Sequence, residues 1–251
     1  MQVFQYDKLR VQRYENRTIS GKEAGEWAAM KVNEILKTRE TINVLFAAAP
    51  SQDEMLAAFM ASDVDFSRIN ALHMDEYIGL PEDAPQLFGH YLDEHAFKLA
   101  KFNNVFYVAC GEDGETTCAR YAKLLEEYPL DIAFIGIGEN GHIAFNDPHE
   151  AKFDDPQTVR VVNLDNVCRQ QQVNDGCFKT INDVPKTAIT LTIPAIMSAK
   201  TLVCTVPAAT KANATKEACL GPVSEACPAS IIRTHDDCVL FCDPDSGRYL
   251  V

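Results

Sequence analysis

Short, mostly apolar runs that alternate with segments of helical spacing constrain this chain more than any other feature. Ile42 to Ala49 is the first such run; it stops at Pro50 and Ser51, and Asp53 to Met60 then repeats apolar residues at helical intervals. A run too short for a helix and closed by turn residues reads as a buried strand. The rhythm continues with strands expected at Arg68 to Met74, Asn104 to Val108 and Ile132 to Ile137, and helices over Leu87 to Leu99 and Glu115 to Glu127. Ahead of them, Ala24, Trp27, Ala28, Val32, Ile35 and Leu36 share one face of an amphipathic helix over Ile19 to Lys37. Further strands are expected at Val159 to Val162, Ala188 to Ile193, Leu202 to Val206 and Val239 to Cys242, with a last helix starting near Ala208. Strands separated by helices predict an α/β fold: one domain over residues 1–251, built on an open, mostly parallel, Rossmann-like sheet with helices on both faces. The ligand crevice of such a sheet lies at the strands' C-terminal ends.

Composition excludes several roles. The 36 acidic residues outnumber the 23 basic ones for a net charge of −13, a field that repels nucleic acid. A phosphorylated small molecule must then meet local basic groups or helix N-termini. No run of eighteen apolar residues exists, so no membrane span is expected. Nine cysteines, from Cys110 to Cys242, form no close-spaced pairs of the zinc-ribbon kind, and Met1 to Arg10 lacks a hydrophobic stretch. Reduced thiols in a cytoplasmic protein are the expectation. The segment from Asp147 to Gln157 reads as a polar, proline-bounded loop, and a homo-oligomer stays open.

Two segments concentrate chemistry at predicted strand ends. His73, Met74, Asp75, Glu76 and Tyr77 follow one strand directly. A carboxylate there faces the crevice, where partial burial can tune it as a base, or it caps the next helix or turn; position alone leaves both readings open. Gly136 to Pro148 brackets His142 with glycines and adds Asn140, Asn146 and Asp147. Glycine permits tight turns and close approach, and imidazole moves protons near neutrality. The glycine spacing fits neither a dinucleotide fingerprint nor a P-loop. His73, Asp75, His142 and Asp147 are all capable metal ligands, yet no close-spaced metal pattern occurs, and neither metal nor other cofactor is expected. No serine or cysteine sits in a nucleophile setting.

The segments Met74-Asp75-Glu76-Tyr77-Ile78-Gly79-Leu80 and Gly136 to Pro148 closely resemble the two signatures of glucosamine-6-phosphate deaminases. The resemblance extends through Val184 to Thr190 and Thr210-Lys211-Ala212. It implies conversion of an amino sugar phosphate to fructose 6-phosphate and ammonia. Asp75 would move the C2 proton to C1, and His142 would serve ring opening. Asn140 and Asp147 would orient the histidine, and Lys211 beside Thr210 would contact phosphate. Many family members carry Asp at the position of Asn140 and Glu at that of Asp147. The family's glycine-rich phosphate loop is replaced by Ala47-Ala48-Ala49-Pro50-Ser51-Gln52, and its phosphate-binding arginine falls on or near Asn174. Ser51, Gln52, Arg169 and Lys211 are then the candidates for a different polar clamp. Isomerisation of a related sugar and sensing of a sugar phosphate without turnover are the alternatives. A 6-phosphogluconolactonase is disfavoured by Ala144-Phe145-Asn146-Asp147, and the acidic loop around Glu150 to Asp154 argues against allosteric control by an amino sugar.

Overall fold

The computed structural model of the protein describes residues 1–108 and 113–251; Cys110 lies outside them. The main sheet has eight strands. In chain order these are β1 (Gln2–Tyr6), β2 (Leu9–Arg13), β3 (Ile42–Phe46), β4 (Ile69–His73), β6 (Asn104–Phe106), β7 (Ile132–Ile135), β10 (Thr201–Val206) and β11 (Cys238–Cys242). Their order across the sheet is β1-β2-β11-β10-β7-β3-β4-β6, parallel except for the β1–β2 hairpin. The helices are α1 (Arg17–Leu36), α2 (Asp53–Met60), α3 (Phe88–Leu92, continued as a π-helical turn to Phe97), α4 (Gly114–Glu127), α5 (Asn166–Asn174), α6 (Ile193–Met197) and α7 (Ala212–Leu220).

Alternation along β3 explains why helices cover both faces. Val44 and Phe46 join a core with Ala24 and Val32 of α1 and Phe59 of α2, whereas Leu45 joins Tyr121 of α4 and Ala218 of α7 on the other face. Neither face meets water, so the strand reads as an apolar run broken only by Asn43. On the first face, α1 lies against α2 where only glycine fits: a Cβ at Gly25 would stand 2.5 Å from the Met55 carbonyl oxygen.

Two features of the strands differ from the sequence expectation. The N-terminal hairpin was not anticipated, because its strands alternate polar and apolar residues as sheet-edge strands do; only Leu9 and Val11 are fully buried, against β11. The strands expected at Val159 to Val162 and Ala188 to Ile193 do not extend the parallel sheet. They form β8 (Val159–Asn163) and β9 (Thr187–Leu191), which pair antiparallel with each other, and β9 pairs antiparallel with β5 (Asp75–Tyr77). Strand β9 stops before Ile193 because Thr192 caps α6, with Pro194 in its first turn. This small sheet stands beside the C-terminal ends of β4 and β7 and carries Asp75.

Candidate active site

Strands β7, β3 and β4 are neighbours, so the loops leaving their C-terminal ends meet. The loop after β3 brings Ala47, Ala48, Ala49, Ser51 and Gln52, the loop after β4 brings Met74 and Asp75, and the loop after β7 brings Gly136, Gly138 and His142. Together they line one open cleft at the strands' C-terminal ends.

Glycine sets the His142 ring. A Cβ on Gly138 would lie only 2.1 to 2.4 Å from three of the ring atoms, so the imidazole packs flat on a bare backbone. Gly141 takes φ +85°, reversing the chain so that the Gly138 amide donates to the His142 carbonyl at 2.9 Å. Beyond the turn, the Asn146 side-chain amide donates to the carbonyls of Ile143 and Leu191, each at 2.9 Å, tying the loop to β9.

Behind the ring is a hydrogen-bonded carboxylate. Nδ1 of His142 stands 3.1 Å from Oδ1 of Asp147. The Asn140 amide donates to Asp147 Oδ1 and to Asp165 Oδ2, both at 2.9 Å, while its oxygen accepts the His142 amide at 3.1 Å. The Asp165 backbone N–H donates to Asp147 Oδ2 at 3.0 Å. Burial alone would raise the Asp147 pKa, but the His142 ring, Asn140 and the Asp165 amide outweigh it and hold the carboxyl below its ordinary value. An amide at position 140 bridges two carboxylates here; a third carboxylate would have repelled them. Asp165 was not anticipated from sequence, since its partners lie far away in the chain.

Asp75 and Glu76 point to opposite sides of β5. Glu76 supplies the cap: its carboxylate accepts backbone N–H groups from Tyr77 at 2.9 Å, Phe88 at 3.1 Å and Gly89 at 2.9 Å, the last two opening α3. Burial still raises its pKa to about 7. The Asp75 carboxylate lines the cleft and forms no hydrogen bond among the described residues. Burial, reinforced by the Glu76 charge, pushes its pKa well above the ordinary carboxylate value. A buried, weakly solvated carboxylate facing a cleft is a stronger base than one in water.

Of the proposed clamp, Ser51, Gln52 and Lys211 line the cleft and Arg169 and Thr210 do not. The Arg169 guanidinium is spent on the carbonyls of Ile181 and Val184 and on Asn166 Oδ1, locking α5 to the segment before β9. Thr210 is exposed on the turn before α7, and Asn174 accepts from the Gln170 amide. Phe88, Gln171 and Gln172, not singled out in the sequence, fill the wall beside Ala144 and Phe145 of the signature segment. The consecutive glutamines of α5 were the available signal, hidden because that helix was itself unanticipated. His142, Asp147 and Cys168 bring donor atoms within 4.8 Å of one another. Asp147 already accepts two N–H bonds, and burial beside Asp147 keeps the Cys168 thiol protonated, so the set suits a proton network better than a metal.

Residues 16–241 match the family model for glucosamine-6-phosphate isomerases/6-phosphogluconolactonase. The glucosamine-6-phosphate deaminase of Listeria monocytogenes serotype 4a is 36% identical over 236 residues, covering 93% of this chain and 98% of that protein. That of Lactobacillus delbrueckii subsp. bulgaricus is 34% identical over 237 residues, 94% and 97% of the two chains. Among solved structures, a monomeric glucosamine-6-phosphate deaminase superposes with a TM-score of 0.86 at 26% identity, covering 95% of this chain and 98% of that one. The 6-phosphogluconolactonase of Thermotoga maritima, at 20% identity and TM-score 0.78 over 94% of this chain and all of its own, shares the fold. The strand-end carboxylate, the glycine-seated histidine and these matches lead to one assignment: the chain belongs to the glucosamine-6-phosphate isomerase/6-phosphogluconolactonase family.

Proposed function

We propose that the protein converts glucosamine 6-phosphate and water to fructose 6-phosphate and ammonia, a hydrolytic deamination built on an aldose–ketose isomerisation. The observation that carries this reading is the convergence of Asp75 and His142 on one cleft. The imidazole passes a proton to the ring oxygen as the pyranose opens, while Asp147 and Asn140 fix the ring's orientation. Asp75 takes the proton from C2 of the open-chain sugar and returns it to C1, leaving an imine at C2. Water adds there and the amine departs as ammonia. A carboxylate suits the short carbon-to-carbon transfer because one oxygen reaches both carbons, and burial matches its basicity to the task. Ser51, Gln52 and Lys211 hold the far end of the sugar. With no membrane-crossing helix among the described residues and all eight described cysteines unpaired, the proposed location is the cytoplasm.

Incubation of pure protein with glucosamine 6-phosphate should release ammonia and fructose 6-phosphate in equal amounts. The absence of ammonia above background, or turnover of 6-phosphogluconolactone in its place, would overturn the reading.

A further inference from the structure

Lys211 is the only lysine or arginine among the described residues that line the cleft, and it is 6% exposed. Burial lowers its pKa, yet an ammonium holds an anion only while it keeps its proton. Two carboxylates work against the burial, Asp175 more than Glu139, and both act by charge across space rather than through a hydrogen bond. Of the other groups around the lysine, Cys168 of α5 is a thiol that burial keeps protonated, and Asp75 and His142 line the same cleft. On the far side of its turn, Asp243 accepts the Ala208 amide at 2.9 Å and Arg248 donates to the Ala209 carbonyl at 3.0 Å.

The two supporting carboxylates sit on different elements. Asp175 is the exposed C-cap of α5, and Glu139 lies in the loop after β7. Gln171 ties them together: its Oε1 accepts the Glu139 backbone N–H at 2.8 Å, and its Nε2 donates to Asp175 Oδ2 at 3.3 Å. Gln171 is itself buried and lines the cleft. An exposed carboxylate without such a tether spreads over its rotamers and loses much of its pull on one particular charge. Glu139 Oε1 is buried and has no hydrogen-bond partner among the described residues. A buried acceptor in that state favours a positive charge nearby.

We propose that Gln171 is a positioning residue for substrate binding: it holds Asp175 and the Glu139 loop towards Lys211, which keeps that lysine charged for the phosphate of the sugar. The inference rests on the deaminase reading for the identity of the substrate alone. One amide serves both partners because it offers an acceptor to the Glu139 N–H and a donor to the Asp175 carboxylate. The consequence depends on pH. With the tether cut, the ammonium gives up its proton at a lower pH, so affinity for phosphate is lost as pH rises. At lower pH the lysine is charged with or without the tether, and the loss shrinks.

The test is KM for glucosamine 6-phosphate, by ammonia release from the full chain, at about pH 7 and about pH 9, where the phosphate has passed its second ionisation. The sugar amine titrates alike for every protein, so the variant-to-wild-type ratio is read. For Asp175→Asn and Gln171→Leu the KM ratio is expected to be about threefold or more higher at the upper pH, while the kcat ratio stays the same at both. Asp175→Asn, a change at an exposed position, carries the test if Gln171→Leu does not fold. In a Lys211→Arg background, whose guanidinium needs no support to stay charged, Gln171→Leu should give a KM ratio independent of pH. A KM ratio independent of pH with Lys211 present, a pH-dependent kcat ratio instead, or the same KM effect with Lys211→Arg overturns the proposal. If wild type releases no ammonia, the deaminase reading fails, and Kd for inorganic phosphate by calorimetry decides at the same two pH values. Weakening of the variants that grows with pH supports the role of Gln171, whereas equal ratios at both, or no binding by wild type, overturns it.

Discussion

Asp75 and Glu76 are adjacent and chemically alike, yet the pleat of β5 sends one into the cleft and the other under the start of α3. Glu76 is compensated by three backbone donors, whereas Asp75 is not, and that asymmetry makes Asp75 the base and Glu76 the anchor. It has a cost in stability. The folded chain keeps the Asp75 proton at pH values where the unfolded chain, with a carboxyl pKa of about 3.9, has released it, so this residue's contribution falls as pH rises above about 4. Asp75→Asn removes the penalty. Chemical denaturation at about pH 8 should find the variant more stable than wild type, and at about pH 4 the two proteins should match. A variant less stable at both would show that Asp75 is stabilised by partners instead. The sequence left a cap or a base open for Asp75, since neither the side a side chain takes on a short strand nor the neighbour that caps a distant helix is a local property.

Among elements, the loop after β7 was the most legible, because glycines at 136, 138 and 141 and the histidine between them are local requirements of one turn. The reason for Gly138 needed the structure: the ring of His142 occupies the space of a Cβ. Gly138→Ala should therefore displace the imidazole, lowering kcat by about 10²-fold while the melting temperature moves little, as steady-state kinetics and calorimetry would report. Activity within a factor of about two of wild type would mean that the ring position is not critical. Arg169 shows the opposite case. From sequence it was a charge near a substrate site, but α5 turns it inward to the carbonyls of Ile181 and Val184, acceptors that no sequence window contains. Strands β3, β4 and β7 were legible because burial on both faces makes them predominantly apolar, with only Asn43, Asn70 and His73 interrupting; β8 and β9 were legible as strands but not as a separate sheet, since pairing partners leave no mark on a short run.

At the scale of the whole molecule, the N-terminal hairpin closes the edge of the sheet over β11, with Leu9 fully buried there. Leu9→Ala should cost about 2–5 kcal/mol, read as a lower denaturation midpoint with unchanged kcat, because the edge lies across the sheet from the cleft. The net charge of −13 should also be visible in kinetics. It repels an anionic substrate over distances that salt screens, while buried Lys211 is screened far less. KM should therefore fall as ionic strength rises from about 0.01 to 0.15 M, and a KM that rises over that range would place the governing charge at the surface. The central claim remains that a carboxylate at the end of β4 moves a carbon-bound proton of an amino sugar. It is tested most directly by following glucosamine 6-phosphate in deuterium oxide by NMR with wild type and Asp75→Asn. The account predicts that the C2 proton leaves C2 and appears at C1 of the ketose with wild type, replaced by deuterium only to the extent that the Asp75 carboxyl exchanges with solvent, and a rate lower by about 10³-fold in the variant. Equal rates of C2 proton loss with the two proteins, or no loss with wild type, would contradict it.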